Sequence, residues 1–236
     1  MGQLTESGRD TAYVWVGRHT GGQPDPAAEL LRRAGALLLD RPAAELVLTH
    51  ERDGRPVLRT ARSVRLPVSV SRTAGLVVVA ARRCGAVGVD VERIRPLPAL
   101  ALARRWFPPA ESTWLTGRPE AGRAVDFLRL WTAKEAVGKT LGRGLRGGGL
   151  LREMPPSDRP LRRVPGADAV WVGHPVLDER VVLAVAVRAT TQVGVEVVQW
   201  PGHDDAADRS ASVERTSLPV LVRGNRSSSR STRGRL

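Results

Sequence analysis

The chain of 236 residues is poor in several things at once. It has one cysteine, Cys84, so an internal disulfide and a cysteine-built metal cluster are both excluded. Cys84 ends an apolar stretch after Arg82-Arg83, which predicts a packing role. Aromatic residues make up only 4%, and six of them are Trp, so the core must be built from aliphatic side chains. The most apolar runs, residues 76–81 and 181–187, have the length of strands and fall far short of a membrane span. A cytoplasmic protein without membrane association is expected. Lysine is the scarcest charge: of 37 Lys and Arg, only Lys134 and Lys139 are lysine. Arg is a fixed planar fork, whereas Lys is a compact point charge. Two lysines in one short segment of a chain that otherwise uses Arg mark a place where the fork does not serve.

What is present is apolar content of 42%, enough for a globular core, and a formal charge of +13. That charge implies an acidic partner: nucleic acid, an anionic surface, a phosphorylated small molecule or an acidic protein.

Periodicity places the lysines. Residues 126–141 carry Phe127, Leu130, Trp131 and Val137 at helical spacing. Residues four apart share a helix face, so Trp131, Glu135 and Lys139 line up, with Phe127 one turn earlier. An intrahelical Glu–Lys pair worth a few tenths of a kcal/mol is one reading of that stripe. Upstream, Val87-Gly88-Val89-Asp90-Val91-Glu92 alternates as a strand, with Val89 and Val91 inward and Asp90 and Glu92 on the opposite face. Gly88 allows close approach to the backbone. Solvated acids at a sheet end are one reading. Joined to Glu135, they form a hard oxygen set suited to Mg²⁺ with phosphate.

Other elements follow in order. Residues 13–17 read as a strand, 27–40 as a helix, 46–51 as a strand and 53–54 as a turn into 56–58. Residues 68–70 form a short strand that gives way at Ser71-Arg72-Thr73 to a loop or turn able to cradle an anion. Strands 76–81 and 87–91 pair as a hairpin. Helices are expected at 99–106 and from Pro109 to Leu115. Glu111 either complements the second helix's start or joins the acidic site. Trp106, Phe107, Trp114 and Leu115 make an apolar cluster. Residues 171–177 and 181–187 read as a closing hairpin, with a structural His174 before Pro175. Residues 193–200 allow one more strand, while 201–236 lack an apolar period and read as a disordered, solvated Arg/Ser tail.

Gly88-Val89-Asp90-Val91-Glu92, followed by Trp131-Thr132-Ala133-Lys134-Glu135 and Lys139, resembles the signature of the phosphopantetheinyl transferases. The larger, surfactin-synthetase-activating type is the nearer match. Gly54-Arg55-Pro56 resembles the family's Gly-Lys-Pro, Val70-Ser71-Arg72-Thr73 its Ser-His-Ser/Thr, and Phe107 to Glu111 its Phe-x-x-x-Glu. The likeness spans roughly residues 13 to 189. Arg72 and Arg55 depart from the usual His and Lys but stay cationic, and the region before Gly54 is short for the larger type.

The resemblance implies an α+β fold of two similar halves related by a pseudo-two-fold, with the active site in the cleft between them. The expected division is 1–98, 99–190 and a tail at 191–236. It implies transfer of 4'-phosphopantetheine from coenzyme A to a serine of an acidic acyl or peptidyl carrier protein by a monomer. Asp90, Glu92 and Glu135 would hold Mg²⁺, with Glu135 and Lys139 catalytic. Arg55, Ser71, Arg72, Lys134 and Lys139 would bind the coenzyme. A degenerate relative that binds without transferring, and a basic nucleic-acid-binding protein, are the alternatives.

Overall fold

A computed structural model describes residues 10–19, 26–61, 64–155, 161–191, 193–200 and 215–218. The protein is a mixed α+β fold of two sheets and four helices. Strand β1 (Asp10–Arg18) leads into helix α1 (Ala27–Leu39), which ends at Asp40 in a left-handed conformation. Strands β2 (Val47–His50), β3 (Pro56–Arg59), β4 (Arg65–Thr73) and β5 (Leu76–Arg82) follow as an antiparallel meander. Strand β6 (Val87–Arg93) precedes helices α2 (Ala99–Trp106), α3 (Pro109–Thr116) and α4 (Glu120–Thr140). Strands β7 (Arg162–Arg163), β8 (Val170–Gly173), β9 (Val181–Arg188), β10 (Val193–Trp200) and β11 (Arg215–Leu218) complete it.

One sheet has the order β11-β10-β1-β5-β4-β3-β2 and the other β6-β9-β8-β7. Their facing sides share one apolar core: Val14, Val16, Val78 and Ala80 meet Val87, Val89, Val91 and Leu183. The outer side of the first sheet, with Trp15, Leu58, Leu66 and Val79, is covered by Leu30, Leu31 and Ala34 of α1. The outer side of the second, with Val170, Val182, Ala184 and Ala186, is covered by Phe127, Leu130, Ala133 and Val137 of α4 and by α2 and α3. Alternating strands bury one face on each neighbour, so both sheets read as continuous apolar runs. Among the described residues no helix is long and apolar enough to cross a membrane.

Three expectations are corrected. Strands β5 and β6 do not form a hairpin: β5 pairs with β1 and β4, and β6 pairs with β9 almost a hundred residues later. The two strands belong to facing sheets, and the intervening turn carries the chain from one to the other. Residues 193–200 form the further strand that their sequence allows, so the tail drawn from 191 does not begin there. They form β10, parallel to β1, with Val193, Val195 and Val197 buried in the shared core, and β11 pairs with β10 in turn. The rest of the expected tail, 201–214 and 219–236, lies outside the described residues, as do 1–9 and 20–25. Cys84 is exposed rather than packed, because it sits at the tip of that inter-sheet turn.

Gly88 brings α4 onto β6. A Cβ there would collide with the Ala136 carbonyl and come within 2.6 Å of Thr140 Oγ1 and 2.8 Å of Thr140 N. The close approach expected of this glycine is therefore to a helix backbone, and it sets the distance at which Glu135 and Lys139 face Asp90.

Candidate active site

Strand β6 is the edge of the second sheet, and an edge leaves alternate backbone groups without a ladder partner. Strand β4 of the first sheet supplies them. Val89 N–H donates to Ser69 Oγ at 3.1 Å, and Val91 N–H donates to Ser71 Oγ at 3.3 Å. Ser71 Oγ in turn donates to Asp90 Oδ1 at 2.7 Å. Two serines thus seam the sheets together at the point where the acidic strand emerges.

From the other side comes α4. Lys139 Nζ donates to Asp90 Oδ1 at 2.8 Å, to the Val89 carbonyl at 3.0 Å and, more weakly, to the Val70 carbonyl at 3.5 Å. Asp90 is buried, and its second oxygen, Oδ2, accepts no hydrogen bond from the described residues. Glu135, one turn before Lys139, is partly buried. Burial pushes its carboxyl above the usual range and the charge of Asp90 pushes it further; Lys139 pulls it back by less, and Glu92 adds a smaller push still. Among the described residues no group of three or more His, Cys, Asp or Glu side chains is placed to hold a metal ion, and Glu92 is paired with Arg95 at 3.1 Å. The donor chemistry, carboxylate oxygens of which Asp90 Oδ2 is buried and unpartnered among the described residues, is that of a hard divalent ion.

Lys139 also lines a cavity of about 370 Å³ together with His50, Asp53, Arg55, Val70, Arg72 and Gly142. Two expected phosphate-binding arginines and the second lysine of α4 therefore open into one space. Arg72 is exposed on β4, so it projects from a strand rather than from the loop expected there. Arg55 lies in the turn after Gly54, whose φ of 83° is left-handed. Its guanidinium is already engaged by Asp53 at 2.8 Å and Glu51 at 3.2 Å. The Arg55 hydrogen bonds hold the Asp53 carboxyl below the usual range.

Two residues fall elsewhere than expected. Ser71 faces Asp90 and β6, not the cavity; strand alternation puts Ser71 and Arg72 on opposite sides of β4. Lys134 does not reach the cavity either. Its ammonium is fully buried, 2.7 Å from Glu111 Oε2, donates to the Arg152 carbonyl at 2.5 Å and lies 4.8 Å from the centre of the Phe107 ring. Glu111 Oε1 accepts the Met154 N–H at 2.7 Å. Oε2 itself lacks a well-angled hydrogen bond, so its tie to Lys134 is chiefly electrostatic. Burial raises the Glu111 carboxyl and lowers the Lys134 ammonium, and each charge partly restores the other. Glu111 thus lies in the first turn of α3, as one of the two readings has it, and does not join the acidic site. It is the counter-ion of a buried lysine, which sequence spacing alone did not signal.

Residues 86–168 match the sequence model of the 4'-phosphopantetheinyl transferase superfamily. The chain is 35% identical over 104 residues to the 4'-phosphopantetheinyl transferase psf-1 of Bacillus pumilus, covering 44% of this chain and 43% of that one. It is 35% identical over 99 residues to the 4'-phosphopantetheinyl transferase HetI of Nostoc sp., covering 41% of each. It is 35% identical over 150 residues to the L-aminoadipate-semialdehyde dehydrogenase-phosphopantetheinyl transferase of Eremothecium gossypii, covering 58% of this chain and 51% of that one. The matched stretches span about half the length of these relatives or somewhat less. Asp90, Glu92, Glu135 and Lys139 all lie within residues 86–168, the stretch that is similar to the 4'-phosphopantetheinyl transferase superfamily.

Proposed function

We propose that this protein transfers the 4'-phosphopantetheine arm of coenzyme A to a serine of an acidic acyl or peptidyl carrier protein, with Mg²⁺, as a cytoplasmic monomer. One observation carries the reading: Arg55, Arg72 and Lys139 line a single cavity, and Lys139 leads from it to Asp90, where Glu135 crowds in. Three cations face the space, with Asp53 beside Arg55, and Asp90 stands behind Lys139, which suits a diphosphate held near a metal.

The chemistry is phosphoryl transfer, in which positioning and charge neutralisation dominate. The serine oxygen forms a bond to the pantetheine-bearing phosphorus, and the bond to the departing adenosine 3',5'-bisphosphate breaks. Glu135 is placed to take the serine proton; a carboxyl raised by burial is a better base near neutral pH than a solvated one. Asp90, Glu92 and Glu135 would hold the metal. When bound, Mg²⁺ supplies neutralisation of the charge that collects on the leaving diphosphate. Lys139 donates to a diphosphate oxygen from the cavity wall, and Arg72 and Arg55 bind the ribose 3'-phosphate at the other end. Ser71 and Lys134 act at one remove, the first by tying Asp90 of β6 to β4 and the second by anchoring α4.

The strand orders support the pseudo-two-fold as well. β1-β5-β4-β3 and β6-β9-β8-β7 follow the same path, each with its helical element after the first strand and its sheet facing the other. The halves at 1–98 and 99–190 then overlap by one strand, since β6 precedes residue 98 yet pairs in the second sheet. The acidic strand and α4 come from one half and the cavity arginines from the other, so the site lies between them.

Incubation with apo carrier proteins, coenzyme A and Mg²⁺, read by intact-protein mass, tests this. The expected outcome is the mass gain of one phosphopantetheine arm on at least one carrier, lost with chelator. Stabilisation by coenzyme A with no modified carrier would instead mark a binding-only relative.

A further inference from the structure

Lys139 is held in a way that a phosphate-binding lysine does not require. Its ammonium is ringed by oxygen: one carboxylate oxygen and two strand carbonyls, from β6 and β4. Carbonyl and carboxylate oxygens are the ligands of a hard cation. Asp90 is the only acid in the ring, and its buried Oδ2 has no donor among the described residues. The side chain of Lys139 is nonetheless 28% exposed and lines the cavity, so a path leads out of the ring. Lys134, five residues earlier, has no such path.

We propose that the oxygen ring of Val70, Val89 and Asp90 is a cation-exchange seat, held by the Lys139 ammonium in the metal-free protein, and that a divalent ion taken up by Asp90 drives this ammonium into the cavity. The inference rests on the metal-dependent reading of the site. The logic is electrostatic. An ammonium and a divalent ion cannot share one carboxylate closely without repulsion, and Lys139 lines the cavity, which gives it an open direction. Metal arrival would thereby deliver a positive charge to the space where an anionic ligand binds. Lys139 then does two jobs in sequence: it keeps a buried carboxylate neutralised while metal is absent, and it presents a donor once metal is present.

The scarcity of lysine makes the test clean. Biosynthetic labelling with ¹³C-lysine leaves the ammonium and its three N–H donors unmodified. In the full chain it labels Lys134 and Lys139 alone, and Lys139→Met tells the two signals apart. Adding Mg²⁺ without coenzyme A is expected to move the Lys139 ε-methylene signal and not that of Lys134, with half-saturation at the Kd that calorimetry gives. In Asp90→Asn the signal should start at the released position and ignore Mg²⁺. Lys139→Met, which removes the resident cation, should bind Mg²⁺ about tenfold more tightly. Calorimetric binding of Mg²⁺ with an unmoved Lys139 signal overturns the exchange, as does the absence of any Mg²⁺ binding. Carrier modification alongside an unmoved signal would remove the exchange alone and leave the proposed transfer standing. Failure to modify any carrier, with a signal that does shift, would do the reverse.

Discussion

Lys134 and Lys139 leave one helix five residues apart, about 140° around its axis, and each meets one carboxylate. Beyond that they have little in common. Lys134 is sealed by Glu111, the Arg152 carbonyl and the Phe107 ring, with no water-exposed side-chain surface. Lys139 is ringed by backbone and Asp90 but opens on a cavity. The sealed pair ties α3 to α4 and to the segment at Met154. The open pair stands between two sheets where a ligand can reach it. The same ion-pair chemistry therefore does architecture at one point of α4 and is free to do reaction chemistry at the other. Solvent access, not residue type, separates the roles.

The largest effects should fall on the open side and on activity. Asp90→Ala or Glu135→Ala is expected to lower carrier modification by on the order of 10²–10³-fold, the scale seen when one electrostatic stabiliser is removed from a site. Circular dichroism should stay unchanged, since the partner left behind by Asp90→Ala, Lys139, can turn into the cavity. Full-rate transfer by either variant in the mass assay would sink the assignment of the acids.

The same deletion on the sealed side should do the opposite. Glu111→Ala leaves a buried ammonium without its counter-ion, a change that costs about 3–5 kcal/mol in other buried pairs. Thermal melting should show a large fall in Tm, and removing both charges, Glu111→Leu with Lys134→Met, should recover most of it. A Glu111→Ala protein that melts like the parent would break the comparison, because Lys134 would then have a route to water.

Acid sharpens it further. His174 is half-buried beside α4, its Nε2 donating to the Arg129 carbonyl at 2.9 Å, and loss of solvent around the ring lowers its pKa to about 4. The unfolded chain binds a proton near pH 6.5 that the folded chain refuses until about 4, so stability falls as pH drops through this window. The full loss is about 3 kcal/mol, and His174→Leu should flatten that limb of a Tm–pH profile. Glu135 has the reverse sign. Its folded carboxyl is raised, so the native state holds its proton longer and stability falls as pH rises above about 4.5. Mg²⁺ should remove the Glu135 contribution and leave the His174 limb untouched. If both limbs respond to metal, the two sides are not separate.

Local pattern carried much of this. The period of residues 126–141 located the core of α4, and alternation in residues 87–92 put Asp90 and Glu92 on the side away from the shared core. The Glu135–Lys139 stripe followed from helix geometry alone. Long-range choices were not written locally. Nothing in 76–91 says that β5 and β6 pair with different sheets, since either partner buries the same valines. Nothing near Lys134 names Glu111, 23 residues away, because which face of a mostly apolar helix is sealed depends on what covers it. The strand allowed at residues 193–200 is present, but its partner is not legible in order, because that partner is the chain's first strand.

The smallest effects belong to the cavity rim, where two arginines offer a last, finer version of the same contrast. Arg72 projects into the cavity from a regular strand. Arg55 points there from a turn but is held by Asp53 and Glu51, so gripping a phosphate means giving up part of two existing ion pairs. A charge-assisted contact to phosphate is worth about 1.5–3 kcal/mol. Arg72→Ala is expected to raise the apparent KM for coenzyme A about tenfold with kcat nearly unchanged, and Arg55→Ala, where part of the contact is offset by the Asp53 and Glu51 pairs it gives up, to raise it about threefold. Dephospho-coenzyme A, which lacks the 3'-phosphate, should show the same KM with wild type and with Arg72→Ala. A KM that still rises with that substrate would move Arg72 from the 3'-phosphate to the diphosphate, and an unchanged KM with coenzyme A itself would take it out of the site.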